Sequence, residues 1–261
     1  MYRGFKIEPF KFTSSEKHIE YEKIGRSIYK DIAKKAETNL EQFVLGPNGI
    51  LNGSAIQNHW FPVIKNKFDV FISHSHDDES LAFALAGWLR KDFHLNAFLD
   101  KYVWDSADGL IRKLDELSQP GKRIFDYKMR NMSTSQVHAM LTTAIFQTID
   151  NCECLFFLKT DKSVPVKDVM TLSPWIYLEI GLSAVIDKHR NKNRMTVYSK
   201  ANENADFSSV GMELDDSHLQ ILKSADLNKW NSKCKENERK DPLQILYETF
   251  PLPPKKKMIY G

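Results

Sequence analysis

The sequence has few of the features that mark secreted or membrane-spanning chains. Only three cysteines occur among its 261 residues, and Cys152 and Cys154 are separated by a single residue. This odd, closely spaced set argues against a disulfide framework and fits a reducing compartment. The longest apolar runs, such as residues 81–89 and 153–158, are roughly half the ~20 residues of a membrane span. We therefore expect a cytoplasmic protein without a membrane partner.

The charge balance and the first residues exclude two further classes. The formal net charge is only +3, which by itself does not indicate a nucleic-acid partner. Residues 1–6 contain no apolar stretch with a small-residue cleavage site, so no secretory leader is expected. A basic cluster at residues 255–257 is either a solvated terminus or a polyanion-binding tail.

Common nucleotide-binding and nucleophile motifs are also missing. The chain has no G-x-G-x-x-G loop, no G-K-[ST] loop and no G-x-S-x-G turn. A Rossmann dehydrogenase, a P-loop NTPase and a serine hydrolase of the nucleophile-elbow type are therefore excluded. What is present is an ordinary globular mixture, with 42% hydrophobic and 27% charged residues.

Residues 1–60 are predicted to form an N-terminal helical extension. An N-cap-like signal at residues 13–16 precedes Ile24, Ile28 and Ile32, which recur every four positions. This narrow stripe predicts a long amphipathic helix that packs on one side. It docks either on its own domain or on a neighbouring subunit.

Residues 61–261 are predicted to form one α/β domain. Short apolar strands alternate with helical periodicity, which predicts a three-layer fold with a parallel sheet covered by helices on both faces. A surface insertion is expected at residues 118–134, and a helical C-terminal extension includes residues 219–222 and 243–250. The predicted strands cover residues 68–73, 95–99, 154–158 and 195–198, and the predicted helices cover 78–91, 107–117, 135–149 and 174–187.

Ligands of such sheets bind beyond the carboxyl ends of the strands. The loops after Ser73, Asp100 and Leu158 should therefore surround any site. Ser73, His74 and Ser75 follow the first of these strands directly, and Asp100 ends the second. These four residues and Trp104 are candidate substrate-binding residues, and Ser73 or Ser75 is a candidate contact for a phosphate or ribose.

Two motifs resemble the Toll/interleukin-1 receptor (TIR) domain. The segment Asp69-Val70-Phe71-Ile72-Ser73, with an acidic helix start and a second strand ending in Asp100, resembles the opening of that family. The W-x-x-x-E from Trp175 to Glu179 resembles the helix that carries the catalytic glutamate of enzymatic TIR domains. The resemblance covers residues 68–198, and the segment after Asp100 is similar to TIR proteins of bacterial Thoeris anti-phage systems.

The resemblance implies a flavodoxin-like fold and an enzyme that cleaves the nicotinamide–ribose bond of NAD⁺. Hydrolysis and cyclisation both remain open. NAD⁺ is then the substrate, and no cofactor and no metal ion are expected. The family also implies anti-phage immune signalling, self-association through TIR domains, and a downstream effector that responds to a nucleotide product.

Glu179 is the candidate catalytic carboxylate on chemical grounds as well. Positions 175 and 179 are neighbours on one face of a helix. A carboxylate there can stabilise an oxocarbenium-like ribose, while Trp175 offers a wall for a flat ring. The structural alternative is an exposed helix glutamate beside a core tryptophan.

Two other functions remain open. His74-x-His76 followed by Asp78 resembles part of a metallo-β-lactamase signature and would make a zinc-dependent hydrolase. The match fails at the last position of that signature, where this sequence has Glu79 instead of a histidine. A non-enzymatic TIR interaction module is the second alternative, although it would not need Glu179.

The segment after Asp100 is predicted to be a loop with an assembly role. Tyr102, Val103 and Trp104 would present unusual apolar surface for a turn, and such surface commonly marks a contact site. We expect Trp104 to abut a second TIR domain near the Glu179 pocket, with Trp104→Ala reducing assembly and NAD⁺ turnover together.

Overall fold

A computed structural model describes most of the chain. The described residues are 3–8, 10–33, 40–45, 50–61, 67–118, 121, 126–165, 169–190 and 210–252. For residues 30–33, 41, 45, 102–106 and 187–190 the backbone alone is described.

The described residues form an α/β fold. The strands are β1 (Arg3–Ile7), β2 (Val44–Leu45), β3 (Ile50–Leu51), β4 (Val70–Ser73), β5 (Ala97–Leu99), β6 (Cys154–Leu158), β7 (Met170–Thr171), β8 (Met212–Glu213) and β9 (Gln220–Leu222). The helices are α1 (Ser15–Ala33), α2 (Gly53–Trp60), α3 (Glu79–Phe93), α4 (Lys101–Ser118), α5 (Tyr127–Asn151), α6 (Pro174–Arg190), α7 (Ser224–Glu236) and α8 (Pro242–Thr249). None of the helices within the described ranges combines the length and apolarity that a membrane span requires.

The main sheet has five parallel strands in the order β5-β4-β6-β1-β9. The predicted strands at residues 70–72, 97–99 and 155–158 are confirmed as β4, β5 and β6. The fourth predicted strand, at residues 195–198, lies outside the described residues. In the described sheet, β6 pairs with β4 on one side and with β1 on the other.

Strand β1 was not predicted from the sequence. Its five residues alternate so that Phe5 and Ile7 are buried on one face, while Lys6 lies on the other. The N-terminal segment, expected to be purely helical, therefore also contributes a strand to the sheet. The alternation is too short to be distinguished from a loop, and pairing with both β6 and β9 stabilises it.

Helices cover both faces of this sheet. One apolar cluster joins Val70, Ile72 and Phe156 to α1, α3, α7 and α8, and the other joins Phe71 and Phe157 to α2, α4, α5 and α6. Side chains of successive strand residues point to opposite faces, so β4 and β6 supply both clusters. Their continuous burial is typical of parallel strands enclosed between two helical layers.

Helix α1 docks on its own domain, against α3. Gly25 and Gly87 allow the two backbones to approach closely, because a Cβ built on Gly87 would lie 1.9 Å from the carbonyl oxygen of Tyr21. The buried line runs through Tyr21, Gly25 and Tyr29, whereas Ile24 and Ile28 lie half-buried beside it. The predicted isoleucine stripe is therefore displaced from the contact, because glycine, which has no side chain, lies at its centre.

Three segments differ from the sequence-based expectation. Residues 101–106, predicted to be a loop, form the first turns of α4, because Val103 continues the helical spacing of the buried residues Ala107, Leu110 and Leu114. The insertion expected at 118–134 is shorter than predicted, because α5 already begins at Tyr127. Asp126 caps this helix by accepting hydrogen bonds from the backbone amides of Lys128 and Met129. Residues 220–222, predicted to be helical, form β9 because β1 offers a free sheet edge.

Candidate functional site

The candidate site lies at the carboxyl ends of β4, β5 and β6. From β4 the chain crosses to β5 on one side, and it later returns to β6 on the other side. Such a reversal opens a crevice between the loops that follow the two central strands, where α/β proteins bind ligands. Here the loops begin at His74 and Lys159.

A hydrogen bond between Ser73 and Glu179 is the centre of the site. Ser73 ends β4, and α6 crosses above it so that Glu179 faces the sheet. The Ser73 Oγ donates to Glu179 Oε2 at 2.6 Å, and neither residue is exposed to solvent. Among the described residues, no N–H or hydroxyl group donates to Glu179 Oε1. A buried carboxyl oxygen without such a donor is costly, which is typical of functional sites.

Two further predicted site residues join this pair. Asp100, at the end of β5, and His74, after β4, are both buried, and His74 Nδ1 lies 3.3 Å from Asp100 Oδ1. Burial raises the pKa of Glu179 well above its usual value, and the negative charge of Asp100 and a hydrogen bond with its side chain raise that pKa further. The hydrogen bond from Ser73 opposes this rise. We call Ser73, His74, Asp100 and Glu179 the Glu179 cluster.

The raised pKa of Glu179 predicts how stability varies with pH. The folded state holds the proton more tightly than the unfolded state, whose glutamate has the ordinary value of 4.5. The contribution of this proton to stability is therefore complete below about pH 4.5 and is lost as pH rises toward the folded pKa. Glu179→Gln carries no titrating group, so its stability relative to wild type should increase from pH 4 to pH 8. Urea unfolding measures this difference, and parallel profiles would contradict the assignment.

The loops after β4 and β6 are tied together across the crevice. The Thr160 hydroxyl hydrogen-bonds to Asp78, whose other carboxylate oxygen lies 3.3 Å from Lys162 Nζ. Lys162 also donates to the backbone oxygen of Asp77 at 2.7 Å. Thr160 and Lys162 were not predicted as site residues. The signal that could have identified them was their position directly after β6, in the loop that was expected to border the site.

A second charged group lies farther along the same edge of the sheet. Lys6 and Lys159 each donate to one oxygen of Asp216, at 2.9 and 3.0 Å. Ser73 and Lys6 both pair with Phe157, so their Cα atoms are two strand spacings, or about 10 Å, apart. Sequence reasoning could not find this group because β1 joins the sheet through long-range pairing with β6 and β9, and Asp216 lies in the loop before β9.

The remaining predicted residues are less closely associated with the cluster. Ser75 is half-buried, and its carbonyl accepts a hydrogen bond from the Asp78 amide at 2.8 Å. Trp175 lies one helical turn before Glu179, half-buried, with its ring edge-on to His138 of α5 at 5.4 Å. Trp104 lies in the first turns of α4, where the backbone alone is described.

The two histidines of the H-x-H motif differ in burial. His74 is buried beside Asp100, whereas His76 is exposed. Among the described residues, no three His, Cys, Asp or Glu side chains are arranged to hold a metal ion. The zinc-hydrolase alternative therefore gains no support from the described geometry.

Comparison with known proteins does not assign this chain to a family. No model of a known protein family, no curated protein and no solved structure matches it.

Proposed function

We propose that this protein cleaves the nicotinamide–ribose bond of NAD⁺, as a TIR-like nucleosidase or cyclase. The observation that carries the proposal is Glu179, buried above the end of β4 with the Ser73 hydroxyl on one carboxyl oxygen and the buried Asp100 beside it. The strand order β5-β4-β6 also agrees with the 2-1-3 portion of a flavodoxin-like sheet.

The proposed chemistry needs a carboxylate but no strong acid. Nicotinamide leaves with the electrons of the broken C–N bond and becomes neutral, while positive charge develops on the ribose. Glu179 in its ionised form stabilises that charge through Oε1, and Ser73 holds Oε2 in position. The ribose is then captured by water, which gives hydrolysis, or by the adenine ring, which gives a cyclic nucleotide.

Burial of Glu179 supports a triggered enzyme. Its side chain has no solvent exposure, so neighbouring groups must move before a substrate can touch Oε1. Such a rearrangement could accompany self-association, and the product could then act on a downstream effector in anti-phage signalling. An inactive isolated protein is consistent with this closed arrangement.

The direct test is chromatography of NAD⁺ after incubation with purified protein, alone and with lysate of phage-infected cells. Release of nicotinamide together with ADP-ribose or a cyclic product would support the proposal. Absence of nicotinamide under every triggering condition, from protein that is folded and assembled, would contradict it.

Lys159 is predicted to bind the phosphates of the dinucleotide. It lies at the crevice, and Asp216 orients its ammonium group. Lys159→Gln should raise KM for NAD⁺ about tenfold with little change in kcat, because a charge-assisted hydrogen bond contributes about 1.5 to 3 kcal/mol. Turnover of nicotinamide riboside, which has no phosphate, should be unaffected.

A matched control is Lys67→Gln, at the exposed amino end of β4 and away from the crevice. Equal effects of both changes, or an equal effect on nicotinamide riboside, would contradict a phosphate contact by Lys159.

The outer face of α6 favours a protein-interaction module as the second candidate. Glu179 is the only charged residue between positions 174 and 186, and it is buried. Tyr177 and Val185 are 48% and 47% exposed, and no described atom lies within 4 Å of a Cβ built on Gly181 between them. A helix that is apolar on its outer face commonly contacts another protein.

Tyr177→Asp is therefore expected to weaken self-association at least tenfold without unfolding the protein, because the side chain is half-exposed. Sedimentation measures this change. If it abolishes assembly while folded wild-type protein never cleaves NAD⁺, the interaction module becomes the better assignment. Unchanged assembly would exclude Tyr177 from the interface.

A further inference from the structure

A second groove lies at the amino ends of the strands, opposite the Glu179 cluster. It is lined by residues that precede β4, β5 and β6 and by residues of α8, and its volume is about 760 Å³. This volume lies within the range of sites that bind ligands. Apolar side chains form part of the lining, namely Phe68, Leu95, Leu243 and Tyr247. We call this cavity the amino-end groove.

The lining of the amino-end groove is acidic as well as apolar. Its charged residues are two cations, Arg3 and Lys67, and four carboxylates, which we call the groove carboxylates: Asp69, Glu153, Asp241 and Glu248. Four negative and two positive charges give the lining a formal charge of −2, in a protein whose formal net charge is +3. An apolar groove with acidic walls favours a segment that carries both lysines and apolar side chains.

The chain itself continues from this groove into such a segment. Pro251 and Leu252 belong to the lining, and residues 253–261 follow them directly. This segment, which lies outside the described residues, contains three lysines at 255–257 and the apolar residues Met-Ile-Tyr at 258–260. Its composition therefore complements the groove that it leaves.

The distances along the chain allow the two to meet. An extended chain advances at most ~3.6 Å per residue, so the Cα atoms of Lys255 and Lys257 lie within about 11 and 18 Å of that of Leu252. Asp241 and Glu248 are seven residues apart at the start and near the end of α8, which separates them by about 10 Å along the helix axis. The three lysines can therefore reach carboxylates along the whole groove.

We propose that residues 253–261 dock in the amino-end groove of the same molecule. Lysines 255–257 lie against the groove carboxylates, and residues 258–260 cover the apolar lining. The basic cluster then has an acidic partner within its own chain rather than solvent or an external polyanion. Because the groove lies at the opposite end of the strands from the Glu179 cluster, the inference does not depend on the proposed function.

The covalent connection makes weak docking sufficient. A short tether gives the segment an effective concentration of about a millimolar at its groove. A segment whose dissociation constant is about 0.1 mM would then occupy the groove in about nine of ten molecules. The contribution of the lysines should fall at high ionic strength, because the charges lie near the surface.

The first experiment is carbodiimide coupling of the full-length protein, which joins lysine amines to carboxylates that they contact. A mixture of ¹⁴N-labelled and ¹⁵N-labelled protein, analysed by mass spectrometry, distinguishes links within one molecule from links between two. We expect lysines 255–257 to couple to the groove carboxylates within one molecule. The ion pair of Lys240 and Glu248, whose charged atoms are 3.4 Å apart, should couple in every sample and verifies the reaction.

Glu236 and Glu238 are the matched control carboxylates. Both are exposed and lie at or just after the end of α7, only a few residues from Asp241 but outside the lining of the groove. A solvated segment would couple to them as often as to the groove carboxylates, and that result would overturn the proposal. Links only between ¹⁴N and ¹⁵N molecules would also overturn it, because a second copy would then fill the groove.

The second experiment is competition by a fluorescent peptide with the sequence of residues 253–261. It is titrated into the wild-type protein and into the full-length triple variant Lys255→Gln, Lys256→Gln, Lys257→Gln. We expect the peptide to bind the variant about tenfold more tightly, because the weakened segment no longer competes for the groove. Failure to bind the variant, or equal affinity for both proteins, would overturn the proposal.

Discussion

Glu179→Gln is expected to reduce NAD⁺ turnover at least about a hundredfold. The amide keeps the shape of the acid and can still accept from Ser73, but it supplies no negative charge to the developing ribose cation. Loss of such an electrostatic contact costs about 3 kcal/mol or more in the activation barrier. Nicotinamide release, measured by chromatography under triggering conditions, gives the rate.

Replacement of Glu179 by glutamine changes the core of the protein as well as the candidate site. A carboxylate at the surface of a pocket would contribute little to the core, but Glu179 is completely buried. We expect the melting temperature at about pH 4 to change little, because glutamine has nearly the same volume as the protonated acid that is present below the ordinary pKa of glutamate.

Glu153→Gln provides the control for this prediction. Glu153 precedes β6 at the opposite edge of the sheet, so the same chemical change there should leave turnover unchanged. Full activity of Glu179→Gln would remove Glu179 from the catalytic role, and a similar loss in both variants would point to a general effect on folding.

Gly87→Ala is expected to lower the free energy of unfolding by about 3 kcal/mol, a large effect for one methyl group. Its Cβ would lie 1.9 Å from the Tyr21 carbonyl oxygen and 2.9 Å from the Gly25 nitrogen. Both atoms belong to the backbone of α1, so relief requires the two helices to separate. Overpacking a tight contact typically costs 1 to 3 kcal/mol, and displacement of a whole helix places this change near the upper end. Urea unfolding measures the loss.

Gly109→Ala separates this packing effect from helix propensity. Gly109 lies inside α4, and no described atom lies within 4 Å of its built Cβ. The same substitution should therefore raise the free energy of unfolding by up to about 1 kcal/mol. If Gly87→Ala were equally stabilising, α1 would not contact α3 as closely as the structure has it.

Much of the candidate site could be placed from local patterns. Ser73 and Asp100 directly follow short apolar strands, and parallel strands bring such positions to one edge of the sheet. Glu179 was accessible through its spacing from Trp175 on a helix. The contact between Ser73 and Glu179 agrees with that placement, whereas the described ring contact of Trp175 is with α5.

Other features depend on contacts between distant residues. Lys6, Lys159 and Asp216 converge only because β1 pairs with β6 and β9, and the sequence pattern of a five-residue strand does not identify its neighbours. The short loop expected after Asp100 was wrong for a related reason. The apolar residues of that segment continue the spacing of the buried face of α4, which favours a helix rather than a turn.

Local patterning was therefore sufficient for the α/β class, the strands β4, β5 and β6 and the edge of the sheet that carries the site, because hydrophobic periodicity depends on neighbouring residues alone. Strand order, the close packing of α1 on α3 and the complete burial of Glu179 arose only in the folded chain. Each depends on which surfaces exclude water together. Loss of hydration in that enclosed space and the nearby charge of Asp100 then raise the pKa of Glu179.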